Sequence, residues 1–143
     1  MEFGSIPLEA TLRPAQIACG VSSVHSMHDP TEGGLINGLI EMAWASEKEI
    51  EVDLEKVFVY RESRILCQEF GVDPLGPIAS GALLLAVSPS DLSPIEKAFK
   101  KNSIPFQVIG KRKKGPVRVL GIDPKGRKEL KRLPRDEILK IYG

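Results

Sequence analysis

The stretch at residues 28–35, which reads HDPTEGGL, constrains the fold more than any other part of the chain. Asp29 can cap a helix, Pro30 suits a first helical position, and Glu32 completes a capping box of the D-x-x-E type. Apolar residues recur behind this start at the spacing of one helix face. We therefore expect a helix over residues 30–46 that packs one side into the core.

Two adjacent glycines, Gly33 and Gly34, stand in the first turn of this expected helix. Inside a helix each glycine costs about 0.8–1 kcal/mol relative to alanine. One explanation is a tight turn that leads into a well-capped helix. The other is that an anion comes close to the backbone, where the N–H groups of a helix start can bind it. The sequence alone leaves both explanations open.

The remaining pattern predicts helices and strands in alternation. It favours strands within 17–27 and at 50–54, 82–87, 106–110 and 117–120, and helices over 62–70, over 93–102 and from residue 134. The apolar run at 82–87 is typical of a central strand buried on both faces. The last two strands would form a hairpin around the basic turn 111–116. This order predicts an α+β fold, a mixed β-sheet with helices packed on it.

Length and composition fit an ordinary globular protein of one domain. The 143 residues are 42% hydrophobic and 27% charged, and no apolar run approaches the residues needed to span a bilayer, about 20. No export signal is recognisable, so we expect a cytoplasmic protein without a membrane partner. Residues 1–5 resemble a cloning scar, residues 6–15 a linker, and residues 16–143 the domain itself.

Neither the cysteines nor the histidines form a metal-ligand pattern. Cys19 and Cys67 are isolated in the sequence, and we expect both to be reduced thiols. His25 and His28 are the only histidines, and at a spacing of three beside a strand end they point to different faces. The sequence therefore predicts no metal site.

Charge is distributed unevenly along the chain. Residues 1–110 carry 8 Lys and Arg against 15 Asp and Glu, whereas residues 111–143 carry 12 against 4. The basic segment 111–132 could bind nucleic acid through its phosphates, but it contains no aromatic residue on which bases could stack. We expect this segment to pair with acidic residues of the chain or of another domain, and nucleic-acid binding is the weaker alternative.

Four sequence blocks resemble the C-terminal domain of the aminoimidazole ribonucleotide (AIR) synthetase superfamily. The blocks are residues 27–35 (MHDPTEGGL), Glu41, residues 70–75 (FGVDPL) and residues 79–84 (ASGALL). The superfamily includes AIR synthetase, selenophosphate synthetase, thiamine-monophosphate kinase and the hydrogenase maturation factor HypE. The resemblance is strongest toward HypE and toward AIR-synthase-related proteins of unassigned reaction, and it spans residues 16–122.

The resemblance implies an ATP-dependent protein of two domains that activates an oxygen or an amide by phosphoryl transfer. In this superfamily an N-terminal domain supplies most ligands of ATP and Mg²⁺ and much of a dimer interface. The C-terminal domain closes over the phosphates and the substrate. Carried over by position, the expected phosphate- or substrate-binding residues are His28, Asp29, Thr31, Gly33, Gly34, Ser80 and Gly81. The resemblance identifies no catalytic residue here.

Two departures limit what the resemblance implies. The N-terminal ATP-binding domain is missing, so we expect this chain alone to be folded, inactive and at most a weak nucleotide binder. HypE also carries a cysteine at its extreme C-terminus, where this chain reads Ile141-Tyr142-Gly143. We therefore expect an AIR-synthase-like protein of a different reaction, and a homodimer is one assembly that the resemblance allows. A stand-alone small-molecule binding or regulatory module is the alternative.

Overall fold

The structure is a computed structural model that describes residues 9–142. The predicted cloning scar at residues 1–5 lies outside the described residues. The chain forms two compact units. Of the described residues, the first unit contains 9–29 together with 81–106, and the second unit contains 30–80 together with 107–142.

The described residues combine helices with two β-sheets. In chain order the helices are α1 (Glu9–Val21), α2 (Gly34–Ser46), α3 (Arg61–Glu69) and α4 (Pro89–Lys101). The strands are β1 (Val24–His28), β2 (Glu49–Asp53), β3 (Leu84–Val87), β4 (Gly110–Lys113), β5 (Arg118–Asp123) and β6 (Gly126–Leu130). One sheet has two strands and the other is a mixed sheet of four, so the predicted α+β class is confirmed.

The first unit is built on a two-stranded antiparallel sheet, β1 with β3. Helices α1 and α4 contact each other, and Ala18, Ile95 and Phe99 form the buried apolar cluster of this unit. Leu85 and Val87 of β3 pack against that cluster. The prediction of a central strand at 82–87 is wrong, because β3 has one strand partner and all four of its residues are half-buried.

Helix α1 replaces the predicted linker over residues 9–15, so that prediction is also wrong. The helix contains Pro14, which removes a backbone hydrogen bond and costs about 3 kcal/mol in a helix interior. Burial of the α1 face that carries Ala18, which is 0% exposed, offsets this cost. The strand predicted within 17–27 is accordingly confined to Val24–His28.

The second unit contains the mixed sheet, in the strand order β4-β2-β5-β6. Strand β2 runs parallel to β5 and antiparallel to β4. The predicted hairpin between 106–110 and 117–120 is therefore wrong, because β2 lies between β4 and β5. The observed hairpin joins β5 to β6. In its turn Asp123 Oδ1 accepts hydrogen bonds from the N–H groups of Lys125 (2.8 Å) and Gly126 (3.1 Å).

The two faces of the mixed sheet differ in polarity. Side chains alternate along a strand, and the register places Ile50 opposite Val119 on one face and Glu49 opposite Arg118 on the other. Val119 is 0% exposed, as is Val52 of β2. The apolar face thus carries buried side chains of the two inner strands, β2 and β5.

Helix α3 forms where it is predicted, but the apolar side chains that share its face are exposed. Within α3, Cys67 is the buried residue, whereas Ile65 and Leu66 are 50% and 57% exposed. Gly71, which has φ 62°, follows the end of this helix as expected. The helix predicted from residue 134 is only a 3-10 turn at Glu137–Lys140.

Candidate functional site

Helix α2 begins at Gly34 rather than at Pro30. Asp29 does not cap it: the N-cap is Gly33 with φ 74°, and no N-cap side chain bonds to the helix. Ahead of the helix the backbone forms a turn in which the Gly34 N–H donates to the Thr31 carbonyl oxygen at 3.0 Å. The predicted capping box of Asp29 and Glu32 is therefore wrong, because this turn separates both residues from the first helical turn.

Asp136, far along the chain, supplies the missing cap. Its Oδ2 accepts a hydrogen bond of 2.8 Å from the Gly33 N–H, and its Oδ1 accepts from the N–H groups of Ile78 (3.1 Å) and Ile138 (2.9 Å). The side chain is buried, with the residue 8% exposed. A carboxylate is stabilised at a helix N-terminus by the helix dipole. The start of α2 thus holds an anion that belongs to the protein itself.

Both glycines are closely packed. A Cβ on Gly34 would lie 2.6 Å from the Leu75 carbonyl oxygen and nearer still to that of Pro77. A Cβ on Gly33 would overlap the side-chain amide of Asn37. Together with their positive φ angles, this packing accounts for both glycines without a bound ligand. The role of the two glycines in phosphate binding stays a prediction.

Asn37 is a second polar residue that the sequence did not single out. It is 6% exposed in α2, where its Oδ1 accepts from the Leu133 N–H at 2.9 Å and its Nδ2 donates to the Leu133 carbonyl oxygen at 3.1 Å. An asparagine within the apolar run LINGLI was a usable signal, because buried polar groups need partners. Asp136 offered no such signal, since Gly33 is 103 residues away.

The seven expected site residues are divided between the two compact units. His28, Asp29 and Gly81 belong to the first unit, and Thr31, Gly33, Gly34 and Ser80 belong to the second. In the first unit His28 ends β1 opposite Leu84 and is half-buried, while Asp29 and Gly81 are exposed. In the second unit Thr31 and Ser80 are exposed, whereas both glycines are buried. Thr31 and Ser80 are therefore accessible from solvent, whereas the two glycines are not.

Four cations of the basic segment pair with two acidic residues of the inner strand β2. Glu51, 4% exposed, lies 2.6 Å from Lys113 Nζ, 3.5 Å from Arg127 and 3.9 Å from Lys111. The hydrogen bond from Lys113 and the three positive charges outweigh desolvation and hold the pKa of Glu51 below its ordinary value of 4.5.

Arg118 of the same segment is paired in the same way. Arg118 Nε donates to Glu49 Oε2 at 2.7 Å, so a second acidic residue of β2 is also paired. Strands β4 and β6 form the edges of the sheet, where lysine and arginine discourage pairing with another chain. These contacts account for part of the uneven charge within the fold itself.

Among residues 9–142 no group of three or more His, Cys, Asp or Glu side chains is placed to hold a metal ion. None of the helices in that same range is both long and apolar enough to cross a membrane.

Comparison with known proteins matches most of the chain to one family. Residues 4–122 match the family described as AIR synthase related protein, C-terminal domain. The carbamoyl dehydratase HypE of Rhizobium leguminosarum is 33% identical over 73 residues, which cover 51% of this chain and 21% of that protein.

Solved structures of HypE share the fold. The hydrogenase maturation protein HypE in complex with ATP superposes with a TM-score of 0.77 at 23% identity, over 86% of this chain and 40% of that chain. HypE of E. coli superposes with a TM-score of 0.77 at 22% identity, over 90% of this chain and 42% of that chain. The chain thus spans about two-fifths of these HypE chains. Since the matched region covers most of its length, the chain belongs to the AIR synthase related proteins, as their C-terminal domain.

Proposed function

We propose that this chain is the C-terminal part of a two-domain, HypE-like protein that uses ATP with Mg²⁺ for phosphoryl transfer to a substrate. The observation that carries the proposal is the family match over residues 4–122, combined with a fold that spans two-fifths of HypE chains. One of those HypE structures is a complex with ATP. The N-terminal domain would supply the rest of the nucleotide site, so the 143-residue chain alone would be inactive.

Within this chain, two exposed hydroxyl groups of the second unit are the best candidates for phosphate or substrate contacts. Thr31 stands in the turn before α2, and Ser80 stands in the loop that follows α3. A phosphate group cannot also accept from the Gly33 N–H, because Asp136 Oδ2 occupies that donor at 2.8 Å. Gly33 and Gly34 would therefore act by shaping the turn that presents Thr31.

The candidates of the first unit, which the resemblance suggests, have a different chemistry. The carboxylate of Asp29 is exposed and would repel a bare phosphate. It suits a phosphate that arrives with a cation, as ATP does with Mg²⁺. For His28 and Gly81, a role in phosphate or substrate binding stays a prediction from the resemblance. ATP would supply the phosphoryl group, and residues of this chain would bind and orient that group. Positioning of the phosphoryl group is the main requirement of phosphoryl transfer.

The test begins with the gene. The coding sequence upstream of residue 6 should be determined, and the longer protein should be expressed beside the 143-residue chain. We expect the longer protein to bind and hydrolyse ATP with Mg²⁺, and the short chain to hydrolyse none. A natural start near Ile6, or a longer protein that does not bind ATP, would contradict the proposal and favour a stand-alone binding or regulatory module.

A further inference from the structure

One buried carboxylate connects the two loops that carry the candidate hydroxyl groups. Asp136 Oδ2 accepts from Gly33, in the turn after Thr31, and Asp136 Oδ1 accepts from Ile78, in the loop before Ser80. Thr31 lies two residues before Gly33, and Ser80 lies two residues after Ile78, so each hydroxyl residue is close in sequence to an N–H group that donates to Asp136. All five residues belong to the second unit.

The carboxylate can fix the distance between the loops because it is rigid and charged. Its two oxygens are held in one plane, and each is used by a different loop. Hydrogen bonds from N–H groups to a carboxylate are about twice as strong as those between neutral groups. Because Asp136 is only 8% exposed, water competes little for these bonds.

The segment that carries Asp136 is itself held in place on both sides of this residue. On one side, Leu133 makes two hydrogen bonds with the side chain of Asn37. On the other side, Glu137 lies so close to Gly76 that a Cβ there would overlap its side chain. Asp136 is therefore set against the two loops by contacts that do not involve its own carboxylate.

We propose that Asp136 is a positioning residue, which holds the Thr31 turn and the Ser80 loop in the single arrangement that phosphate or substrate binding needs. The ligand-binding part of this inference rests on the proposed function. The hydrogen-bonded connection between the two loops does not, because it is a property of the second unit alone. Asp136 acts through Thr31 and Ser80 and would not itself contact the ligand.

The connection can be tested in the 143-residue chain without any substitution. Scalar couplings through the hydrogen bonds should link the amide nitrogens of Gly33 and Ile78 to the side-chain carboxyl carbon of Asp136 in the NMR spectrum. Detection of both couplings supports the arrangement. Absence of either coupling, in spectra that show the corresponding coupling from Asp123 to Lys125, overturns it.

A matched pair of variants then tests what the carboxylate does. Asp136→Ala should accelerate amide hydrogen exchange at both Gly33 and Ile78 by about tenfold or more, with the amide of Val52 in the sheet unchanged. The control is Asp123→Ala, which likewise removes a carboxylate that accepts backbone N–H groups, here those of Lys125 and Gly126. It should leave Gly33 and Ile78 unchanged. Unchanged exchange at either amide in Asp136→Ala overturns the proposal.

Binding of Mg²⁺–ATP to the longer protein separates positioning from mere stability. Asp136→Ala should weaken this binding about tenfold, and the double variant with Thr31→Ala should lose no more than the larger single loss, because both changes disable the same contact. Asp123→Ala should bind as the wild type does. Wild-type affinity in Asp136→Ala, or losses that simply add, would reject the positioning role.

The two proposals can fail separately. If the wild-type longer protein does not bind Mg²⁺–ATP, the proposed function fails, while the couplings and the exchange rates still decide whether Asp136 connects the loops. If the wild type binds and Asp136→Ala binds equally well, the proposed function stands and Asp136 is only a structural residue.

Discussion

Asp136 and Gly33, 103 residues apart in the sequence, are joined by a buried hydrogen bond of 2.8 Å between a carboxylate oxygen and a backbone N–H. The start of α2 therefore depends on a segment near the other end of the chain. This contact satisfies the backbone N–H of Gly33, the N-cap residue, which has no side chain with which to cap the helix. The glycine motif is thus part of a packed junction within the second unit.

The packing of the motif predicts that Gly34→Ala is strongly destabilising. The new Cβ would meet the carbonyl oxygens of Leu75 and Pro77, and alanine is also strained at φ 58°. We expect the free energy of unfolding to fall by about 2–4 kcal/mol, measured by denaturant titration. Gly71→Ala is the matched control, because Gly71 has φ 62° but open space around it. Its cost should be about 1–2 kcal/mol, and an equal cost at both positions would contradict the packing argument.

Asn37→Ala should also destabilise the protein, because it leaves both backbone groups of Leu133 without their partner. The expected loss in unfolding free energy is about 1–3 kcal/mol. Asn102→Ala, at the C-terminal end of α4, is the comparison. The Asn102 Nδ2 donates to the Ala98 carbonyl oxygen. That oxygen also accepts from the backbone N–H of Asn102, so it keeps a partner when the side chain is removed. Its loss should be the smaller one. The reverse order would show that the Asn37 bridge contributes little.

The ion pairs of Glu51 predict a loss of stability in acid. Because Lys113 above all holds the pKa of Glu51 below 4.5, the folded state binds this proton less readily than the unfolded state. The resulting stabilisation is fully present above pH 4.5 and disappears as the pH falls through the lower, folded-state pKa.

Thermal unfolding of Glu51→Gln and the wild type between pH 3 and pH 7 measures this effect. The difference in melting temperature should be largest near neutral pH and should shrink below pH 4.5. Glu69→Gln, at an exposed position of α3, is the control and should follow the wild type over the whole range. A Glu51→Gln difference that does not vary with pH would count against the ion-pair account.

The two cysteines should react at different rates with a thiol reagent. Burial first, and then the negative charge of Asp73, raise the pKa of Cys67 above its ordinary value of 9.0, so little of the reactive thiolate forms near pH 8. Cys19 is exposed. We expect one fast thiol and one that is at least about tenfold slower until the protein unfolds. Cys19→Ser should remove the fast phase, and loss of the slow phase instead would refute this assignment.

The sequence predicted the elements whose signals are local. Helices α2, α3 and α4 lie where the spacing of apolar residues predicts helices, and the α+β class follows from their alternation with strands. Two of their predicted starts are wrong, because α2 begins at Gly34 rather than at Pro30 and α4 begins at Pro89 rather than at Ser93. Helix α1 was missed because Pro14 is a strong local signal for a break, whereas the burial of Ala18 that outweighs it is a tertiary contact. At such positions tertiary packing outweighs the intrinsic helix propensity of the residue.

Features that depend on distant partners could not be predicted. The placement of β2 between β4 and β5 depends on pairings between strands that are far apart in the sequence, such as Glu49 with Lys113 and with Arg118. The cap of α2 was assigned to Asp29, which is adjacent in sequence, although the structure uses Asp136. In the candidate site, the exposed side chains of Thr31 and Ser80 were named from the resemblance, but the contacts that support them were not, because Asn37 and Asp136 act across about one hundred residues.

The most direct test of the central claim is the affinity of the longer protein for Mg²⁺–ATP with and without the Thr31 hydroxyl group. Thr31→Ala should weaken binding by about tenfold, the amount expected when a hydrogen bond to a charged group is lost. Thr11→Ala, which removes the other threonine of this chain, should leave the affinity unchanged. Equal affinity of Thr31→Ala and the wild type would contradict the claim that the turn before α2 contributes to phosphate binding.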